Sequence, residues 1–264
     1  MSNVLLQEPR DGILRLTLND PASRNSLSEA MMAELQAALD AAALDRGVKV
    51  IVLAALGPVF SSGHNLKEIT AHRGDQDKGA AYFAALFDRC AALMMSIVRH
   101  PRPVIAEVRG LASAAGCQLV ASCDLAYAAD SATFCTPGVN IGLFCSTPMV
   151  ALSRNVAPKH AMEMLLSGDV ITASEAQRMG LVNAAVPANM LAQTVADLAR
   201  KIASKSMVTV KTGKETFYRQ LDLPLDEAYA LTARVMTENL LQRDAKEGIA
   251  AFIGKRPPQW SDEP

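Results

Sequence analysis

A run of small residues follows an apolar stretch between residues 103 and 124, and it could place backbone amides against a ligand. Val104, Ile105 and Val108 favour a strand, and the chain continues through Ala112 to Gly116 before an apolar run with helical spacing. Amides in the first turn of a helix have no internal acceptor and lie at the positive end of the helix dipole. Because side chains this small leave those amides accessible, a ligand oxygen can accept hydrogen bonds from them. Close packing of a helix on a sheet is the structural alternative for the same pattern.

A second stretch, GPVFSSGHNLKEI from Gly57 to Ile69, follows another predicted strand. The two stretches together resemble the paired signature of the crotonase superfamily, the enoyl-CoA hydratase/isomerase family. In that family, one amide after an F-x-x-G turn and one at a helix start form an oxyanion hole for the carbonyl oxygen of an acyl-CoA thioester. The resemblance places these amides on His64 and Ala115. It extends from Gly12 to about Arg256.

The same resemblance implies which residues surround the thioester and the coenzyme. They lie in the turn before the first helix, in the two amide turns, in the loop after residue 136 and at the last helix. These residues are Arg24, Ser26, Leu27, Ser62, Gly63, Asn65, Leu66, Lys67, Leu111, Ala114, Gly116, Pro137, Phe252 and Lys255. The implied ligand is a coenzyme A thioester, with no further cofactor and no metal ion. Phe252 and Lys255 are expected near the coenzyme of the same or a neighbouring subunit. For Arg24, an exposed arginine in a turn is the alternative.

The positions that carry proton transfer in hydratases of this family hold no carboxylate in this chain. A hydratase needs one carboxylate as base and one as acid to move water across a double bond. The resemblance places them at Gln118 and Gly138. An amide does not titrate near neutral pH and glycine has no side chain, so neither exchanges a proton. We therefore expect enolate stabilisation with weak or altered hydratase activity, and a larger gain in rate from Gln118→Glu with Gly138→Glu together than from either alone.

Three residues are candidates to replace the missing carboxylates. Ser146 aligns with a site where other branches of the family carry an aspartate, Cys145 beside it is a possible nucleophile, and the His64 side chain can titrate near neutral pH. Each has a structural alternative, which is a hydrogen bond within the loop, packing, or a ring that faces solvent or coenzyme. Asp124 and Glu107 are interpreted as structural polar residues at strand ends. The alternative functions are an isomerase or hydrolase-type reaction that uses Ser146 or His64, and acyl-CoA binding without catalysis.

Composition and motifs argue against several other classes of protein. A formal net charge of −1 disfavours a broad basic face for nucleic acid, and no apolar run reaches the ~18 residues of a membrane span. Ser113 lies in no G-x-S-x-G elbow, and Gly110 with Gly116 does not form G-x-G-x-x-G. The five cysteines show no C-x-x-C, which favours reduced thiols. The first twelve residues match no secretory or mitochondrial presequence, so a cytoplasmic location is expected.

Hydrophobic patterns divide the chain into a mixed part and a helical part. Strands are predicted at 13–19 and 48–54, whereas helices are predicted around 191–202, 207–220, 225–241 and 244–253. A capping box of Ser26 and Glu29 is expected at the first helix. We predict an α/β fold with a core at 1–195 and a helical segment at 196–264. The family resemblance implies a spiral of ββα units and a homotrimer or dimer of trimers, and an apolar stripe fits that assembly: Leu225, Tyr229, Ala233, Met236 and Leu240.

Overall fold

Ten strands form two sheets within residues 4–262, the part of the chain that the computed structural model describes. The first sheet has the order β1-β2-β3-β5-β7-β10, and only its β1–β2 pair is antiparallel. The second has the order β4-β6-β8-β9, with β9 antiparallel. The strands are β1 Leu5–Arg10, β2 Ile13–Leu18, β3 Val50–Ala55, β4 Val59–Ser61, β5 Val104–Val108, β6 Leu111–Ser113, β7 Leu125–Ala129, β8 Thr133–Cys135, β9 Ile171–Thr172 and β10 Ala184–Val186.

Eleven helices surround these sheets in the described residues. Those between the strands are α1 Glu29–Leu44, α2 Leu66–Ala71, α3 Ala80–Val98, α4 Ala115–Ser122, α5 Ser146–Leu152, α6 Pro158–Ser167 and α7 Ala173–Met179. The last four are α8 Leu191–Ala203, α9 Met207–Gln220, α10 Leu225–Leu241 and α11 Arg243–Ile253, so the predicted helical C-terminal segment is confirmed. α4 packs against α3, α5 and β6, and all eight of its residues are buried. The helix whose start carries the candidate amide is thus held on several sides.

Successive strands alternate between the two sheets, which gives the chain a repeating unit. β3, β5 and β7 each join the first sheet, and the strand that follows each of them joins the second sheet before the chain turns into helix. This is the expected spiral of ββα units. α8 packs on β3, β5 and β7, and it runs without interruption through residues 195 and 196. The division of the chain at that point stays a prediction.

The first helix begins differently from the prediction. Ser28 is its N-cap, and the Ser28 side chain accepts a hydrogen bond from the Met31 amide at 3.2 Å. The predicted capping box of Ser26 with Glu29 is therefore wrong. Ser26 is instead buried in the preceding turn, where its hydroxyl has no hydrogen-bond partner within residues 4–262.

The helix α3 is long and apolar enough to cross a membrane by length and composition alone. Core helices of soluble proteins pass the same test, and one face of α3 packs in the hydrophobic core through Leu86, Cys90 and Leu93. The absence of a membrane partner stays a prediction.

Candidate active site

The second sheet brings the two turns of small residues to one edge. β4 and β6 are parallel neighbours, with Val59 paired to Leu111 and Ser61 paired to Ala112. Parallel strands leave a sheet at the same edge, which is where open α/β proteins commonly bind ligands. The turn that follows β4 and the start of α4 that follows β6 therefore lie side by side.

Two glycines allow these turns to approach each other closely. Gly63 has a φ of +86°, and a Cβ added there would lie 3.1 Å from the Ala115 amide nitrogen. A Cβ on Gly116 would lie 2.3 Å from the Ser61 carbonyl oxygen, which is far inside van der Waals contact. A side chain at either position would push the turns apart. The structure thus places the segments of His64 and Ala115 against each other, although they are distant in sequence.

The backbone leaves both predicted amides available to an acceptor. Leu27 and His64 form a parallel bridge in which the Leu27 amide donates to the Gly63 carbonyl at 2.8 Å. In this kind of bridge the bonds are made by the neighbours of His64, so its own N–H points away from Leu27. Ala115 is the first residue of α4, where an amide has no acceptor inside the helix. Neither amide donates to another backbone group in the described part of the chain.

Ala114, directly before α4, has a strained backbone. Its φ is +50° and its ψ is −118°, a combination that glycine adopts far more readily than alanine. Such a residue costs about 1–3 kcal/mol and persists only where the surrounding structure holds it, often at functional sites. Here the Ala114 amide donates to the Cys135 carbonyl at 2.9 Å, which fixes the turn that presents Ala115.

The two positions of the missing carboxylates are buried. Gln118 is 5% exposed in α4, and its Oε1 lies 3.9 Å from the Cys90 thiol. A Cβ on Gly138 would lie 2.8 Å from the Leu143 carbonyl oxygen and 2.9 Å from the Cys145 sulfur. The φ of Gly138 is not in the left-handed region, so the obstacle to a glutamate there is steric. The expected gain in rate from Gly138→Glu is therefore opposed by the packing around it.

Cys145 and Ser146 have surroundings that favour structural roles. Cys145 is buried, and burial raises the pKa of its thiol, which leaves little thiolate near neutral pH. Ser146 is the exposed first residue of α5, and its hydroxyl donates to the Phe144 carbonyl at 3.4 Å. No carboxylate or imidazole in the described residues is hydrogen-bonded to either side chain.

The turn before α1 lies against the His64 turn. Arg24 is exposed in a left-handed conformation, and its carbonyl accepts from the Ser62 amide at 3.1 Å. The Ser62 hydroxyl donates to the Ser23 carbonyl at 3.4 Å. Asn65 caps α2 by accepting from the Lys67 amide at 3.0 Å. The structure thus brings the turn before α1 and the His64 turn together. Of the other residues predicted in these two turns, Leu27 is buried and Leu66 is exposed.

The remaining predicted residues divide into two locations. Leu111 is half-buried in β6, and Pro137 begins the 3-10 turn that contains Gly138. Phe252 is 86% exposed near the end of α11, and Lys255 follows that helix. No hydrogen bond or ion pair between residues 4 and 262 joins Phe252 or Lys255 to the two amide turns.

Sequence reasoning missed a polar network that anchors α9. The Lys214 ammonium donates to the carbonyls of Ile97 and Arg102 at 3.0 and 3.1 Å and to the Asp124 carboxylate at 2.6 Å. The Tyr218 hydroxyl donates to the same carboxylate at 3.0 Å. Asp124 is therefore structural, as predicted, but nothing in the helical pattern of α9 singles out Lys214 as its partner.

The predicted structural role of Glu107 is also confirmed. The Arg15 guanidinium donates to both of its carboxylate oxygens, at 2.9 and 2.8 Å. This pair joins β2 to β5 across the strand between them.

These features define a crotonase fold with its paired amide turns, and comparisons with known proteins agree. The family model "Enoyl-CoA hydratase/isomerase" matches residues 8–263, and the chain belongs to that family. Human enoyl-CoA hydratase domain-containing protein 3, mitochondrial, is 52% identical over 96% of this chain and 82% of its own length. Its crystal structure superposes with a TM-score of 0.93 at 50% identity, covering 97% of this chain and all of that one. An enoyl-CoA hydratase from Mycobacterium smegmatis gives a TM-score of 0.93 at 46% identity, covering 97% and 98%.

A more distant relative carries the name of a specific hydratase. The 2,3-dehydroadipyl-CoA hydratase of Escherichia coli K12 is 32% identical over 97% of this chain and 98% of its own length.

The expected cytoplasmic location is contradicted by these relatives. The human, rat, mouse and Xenopus laevis proteins, each 50–52% identical to this chain, are all named as mitochondrial. The residue pattern of the first twelve positions does not predict location here, because a location is not encoded in the folded domain that these proteins share.

Proposed function

We propose that this chain binds acyl-CoA thioesters and stabilises the thioester enolate with the amides of His64 and Ala115, without being an efficient enoyl-CoA hydratase. The observation that supports this proposal is the close approach of Gly63 to the start of α4, where a Cβ added to Gly63 would lie 3.1 Å from the Ala115 amide nitrogen. Two preorganised donors can share one oxyanion. The loss of hydratase activity follows from Gln118 and Gly138, because neither can move a proton.

The first test compares two ligands that differ only in the thioester carbonyl. Butyryl-CoA is expected to bind more tightly than S-butyl-CoA, the thioether with the same chain, because only the thioester offers an acceptor to the two amides. Two hydrogen bonds at ~0.5–1.5 kcal/mol each predict a difference in Kd of roughly 5- to 150-fold. Titration calorimetry measures both constants, with free CoA as a reference. Equal affinities for butyryl-CoA and S-butyl-CoA would contradict the oxyanion site.

Binding without catalysis is the second candidate, and the buried Cys145 thiol and the exposed Ser146 hydroxyl favour it over a reaction that uses either residue. A panel of saturated and unsaturated acyl-CoA thioesters separates binder from enzyme. A binder releases every thioester unchanged, whereas an isomerase or hydrolase converts at least one member of the panel.

Assembly into a homotrimer or a dimer of trimers is the second proposal, and the exposed face of α10 supports it. Leu225, Tyr229 and Met236 are 74%, 70% and 61% exposed in the single chain. We expect light scattering at micromolar concentration to give three or six times 28.1 kDa. Leu225→Glu with Tyr229→Glu should lower that mass, because burying two charges in an apolar interface is costly.

Leu44→Glu is the matched control for this test. Leu44 is 87% exposed at the end of α1 and is not part of the apolar stripe of α10, so its substitution should leave the mass unchanged. A monomeric wild-type chain at micromolar concentration would contradict the proposed assembly.

A further inference from the structure

The two ring nitrogens of His64 are buried without a hydrogen-bond partner in the described residues. Buried polar groups are almost always paired, and one left unpaired costs about 1–3 kcal/mol. A neutral imidazole carries one N–H donor and one lone pair, so both capacities are unused here. A ligand group that hydrogen-bonds to the ring would satisfy this unused capacity.

His64 also occupies a particular place in the proposed site. Its own backbone amide is one of the two proposed oxyanion donors, so the ring belongs to a residue that would contact the thioester carbonyl. The ring packs edge-to-face against Phe87 of α3, with centroids 5.5 Å apart and planes at 79°. The helix α3 comes after the His64 turn along the chain. The contact with Phe87 limits the directions in which the imidazole can move.

Burial lowers the pKa of His64 below its ordinary value, and the Leu27 carbonyl opposes that shift without reaching hydrogen-bond geometry. The ring is therefore neutral at pH 7 and keeps one lone pair. The groups that face it are the Leu27 carbonyl from the turn before α1 and the Phe87 ring from α3. A backbone carbonyl near one nitrogen favours the tautomer with its N–H on that side, which leaves the other nitrogen as a base.

We propose that the His64 imidazole is the general base that removes a proton from the α-carbon of the bound acyl-CoA thioester. The Cα–H bond breaks, the proton goes to the free ring nitrogen, and the electron pair moves onto the carbonyl oxygen as an enolate held by the His64 and Ala115 amides. Return of the proton, or of a deuteron from solvent, regenerates the thioester, so no other reactant is consumed. This inference rests on the proposed oxyanion site.

One base without a partner can exchange an α-proton but cannot complete hydration. Hydration needs a second group to activate water, and Gln118 and Gly138 supply none. The structure therefore favours proton exchange or double-bond migration next to the carbonyl over addition of water.

The test is deuterium incorporation at C2 of butyryl-CoA in D2O, followed by NMR or mass spectrometry. We expect the full-length chain to catalyse this exchange and His64→Gln to slow it by about 10²–10⁴-fold, the usual contribution of a general base. The backbone amide remains in His64→Gln, so calorimetry should still show tighter binding of butyryl-CoA than of S-butyl-CoA. His160→Gln is the matched control, since His160 is on α6 and its ring lies 3.9 Å from Glu163 on the same helix.

The pH dependence separates a base from a structural ring. The histidine-dependent part of the rate should be constant from pH 7 to 8. It should decrease at pH values below the lowered pKa of His64, because protonation removes the lone pair. Exchange by His64→Gln at the wild-type rate would overturn the proposal. So would a wild-type chain that prefers butyryl-CoA over S-butyl-CoA yet exchanges no deuterium, a result that leaves the oxyanion site intact. Absence of both preference and exchange would contradict the oxyanion site as well.

Discussion

Purified chain supplied with crotonyl-CoA is expected to hydrate it with a kcat well below ~10 s⁻¹, the median for enzymes. Each general acid or base contributes about 10²–10⁴-fold, and the two carboxylates of a hydratase act as a unit, so their joint absence should remove at least that much. Loss of absorbance of the enoyl thioester measures the rate. The E. coli relative named 2,3-dehydroadipyl-CoA hydratase serves as a positive control in the same assay. Hydration at ordinary enzyme rates would show that another side chain activates water.

Adding glutamates at positions 118 and 138 tests whether the missing carboxylates alone account for the low hydratase activity. Gln118→Glu places an acid on α4, where the glutamine already has room, but it restores only one member of the pair. Gly138→Glu must displace the Leu143 carbonyl or the Cys145 thiol, because both lie under 3.0 Å from the new Cβ. Overpacking of this kind costs about 1–3 kcal/mol. We therefore expect the double substitution to be less stable and not to restore hydration, whereas the sequence alone predicts a larger gain in rate from the two substitutions together than from either alone.

Lys214→Met is expected to lower the free energy of unfolding by about 3–5 kcal/mol, the usual cost of breaking a buried ion pair by removing one partner. The Lys214 side chain is 7% exposed, and its loss would leave the Ile97 and Arg102 carbonyls without their donor. Asp124 would keep its bonds from the Val104 amide and the Tyr218 hydroxyl, which favours the lower end of that range. Burial lowers the pKa of Lys214 in spite of Asp124, so the ammonium is held in place at a desolvation cost.

Lys211→Met is the matched control for this prediction. Lys211 is on the same helix but half-exposed, with its ammonium 3.8 Å from Glu215. A surface pair of this kind contributes ~0–1 kcal/mol. Urea unfolding at one protein concentration compares the two variants, because assembly would otherwise shift both midpoints. Equal midpoints for Lys214→Met and Lys211→Met would show that the network does not hold α9 on the core.

The N-terminal hairpin shows where sequence reasoning stopped short. β1 has only one strongly apolar inward position, Leu5, while the residues from Gln7 to Arg10 are exposed, so the strand gives no alternating pattern. The signal that could have found it is the Asp11-Gly12 pair before β2. Both residues have positive φ, as a two-residue hairpin turn requires.

The sequence by itself determined the features that depend on local residue types. Apolar runs predicted β2 and β3, and helical spacing predicted α8 to α11. Small residues marked both amide turns, and Gln118 and Gly138 revealed the missing carboxylates. These features could be recognised because backbone preference and side-chain chemistry are properties of neighbouring residues.

Only the tertiary structure decided which distant residues meet. Pairing of β4 with β6 set Gly63 against Ala115. The loop after Gly138 placed the Cys145 sulfur 2.9 Å from the position that a Cβ on Gly138 would take. The packing of α3 left the His64 nitrogens buried. Spacing along the chain carries no record of these contacts. They arise because two sheets and the helices between them must bury their apolar faces together, and that requirement fixes the positions of turns far apart in sequence.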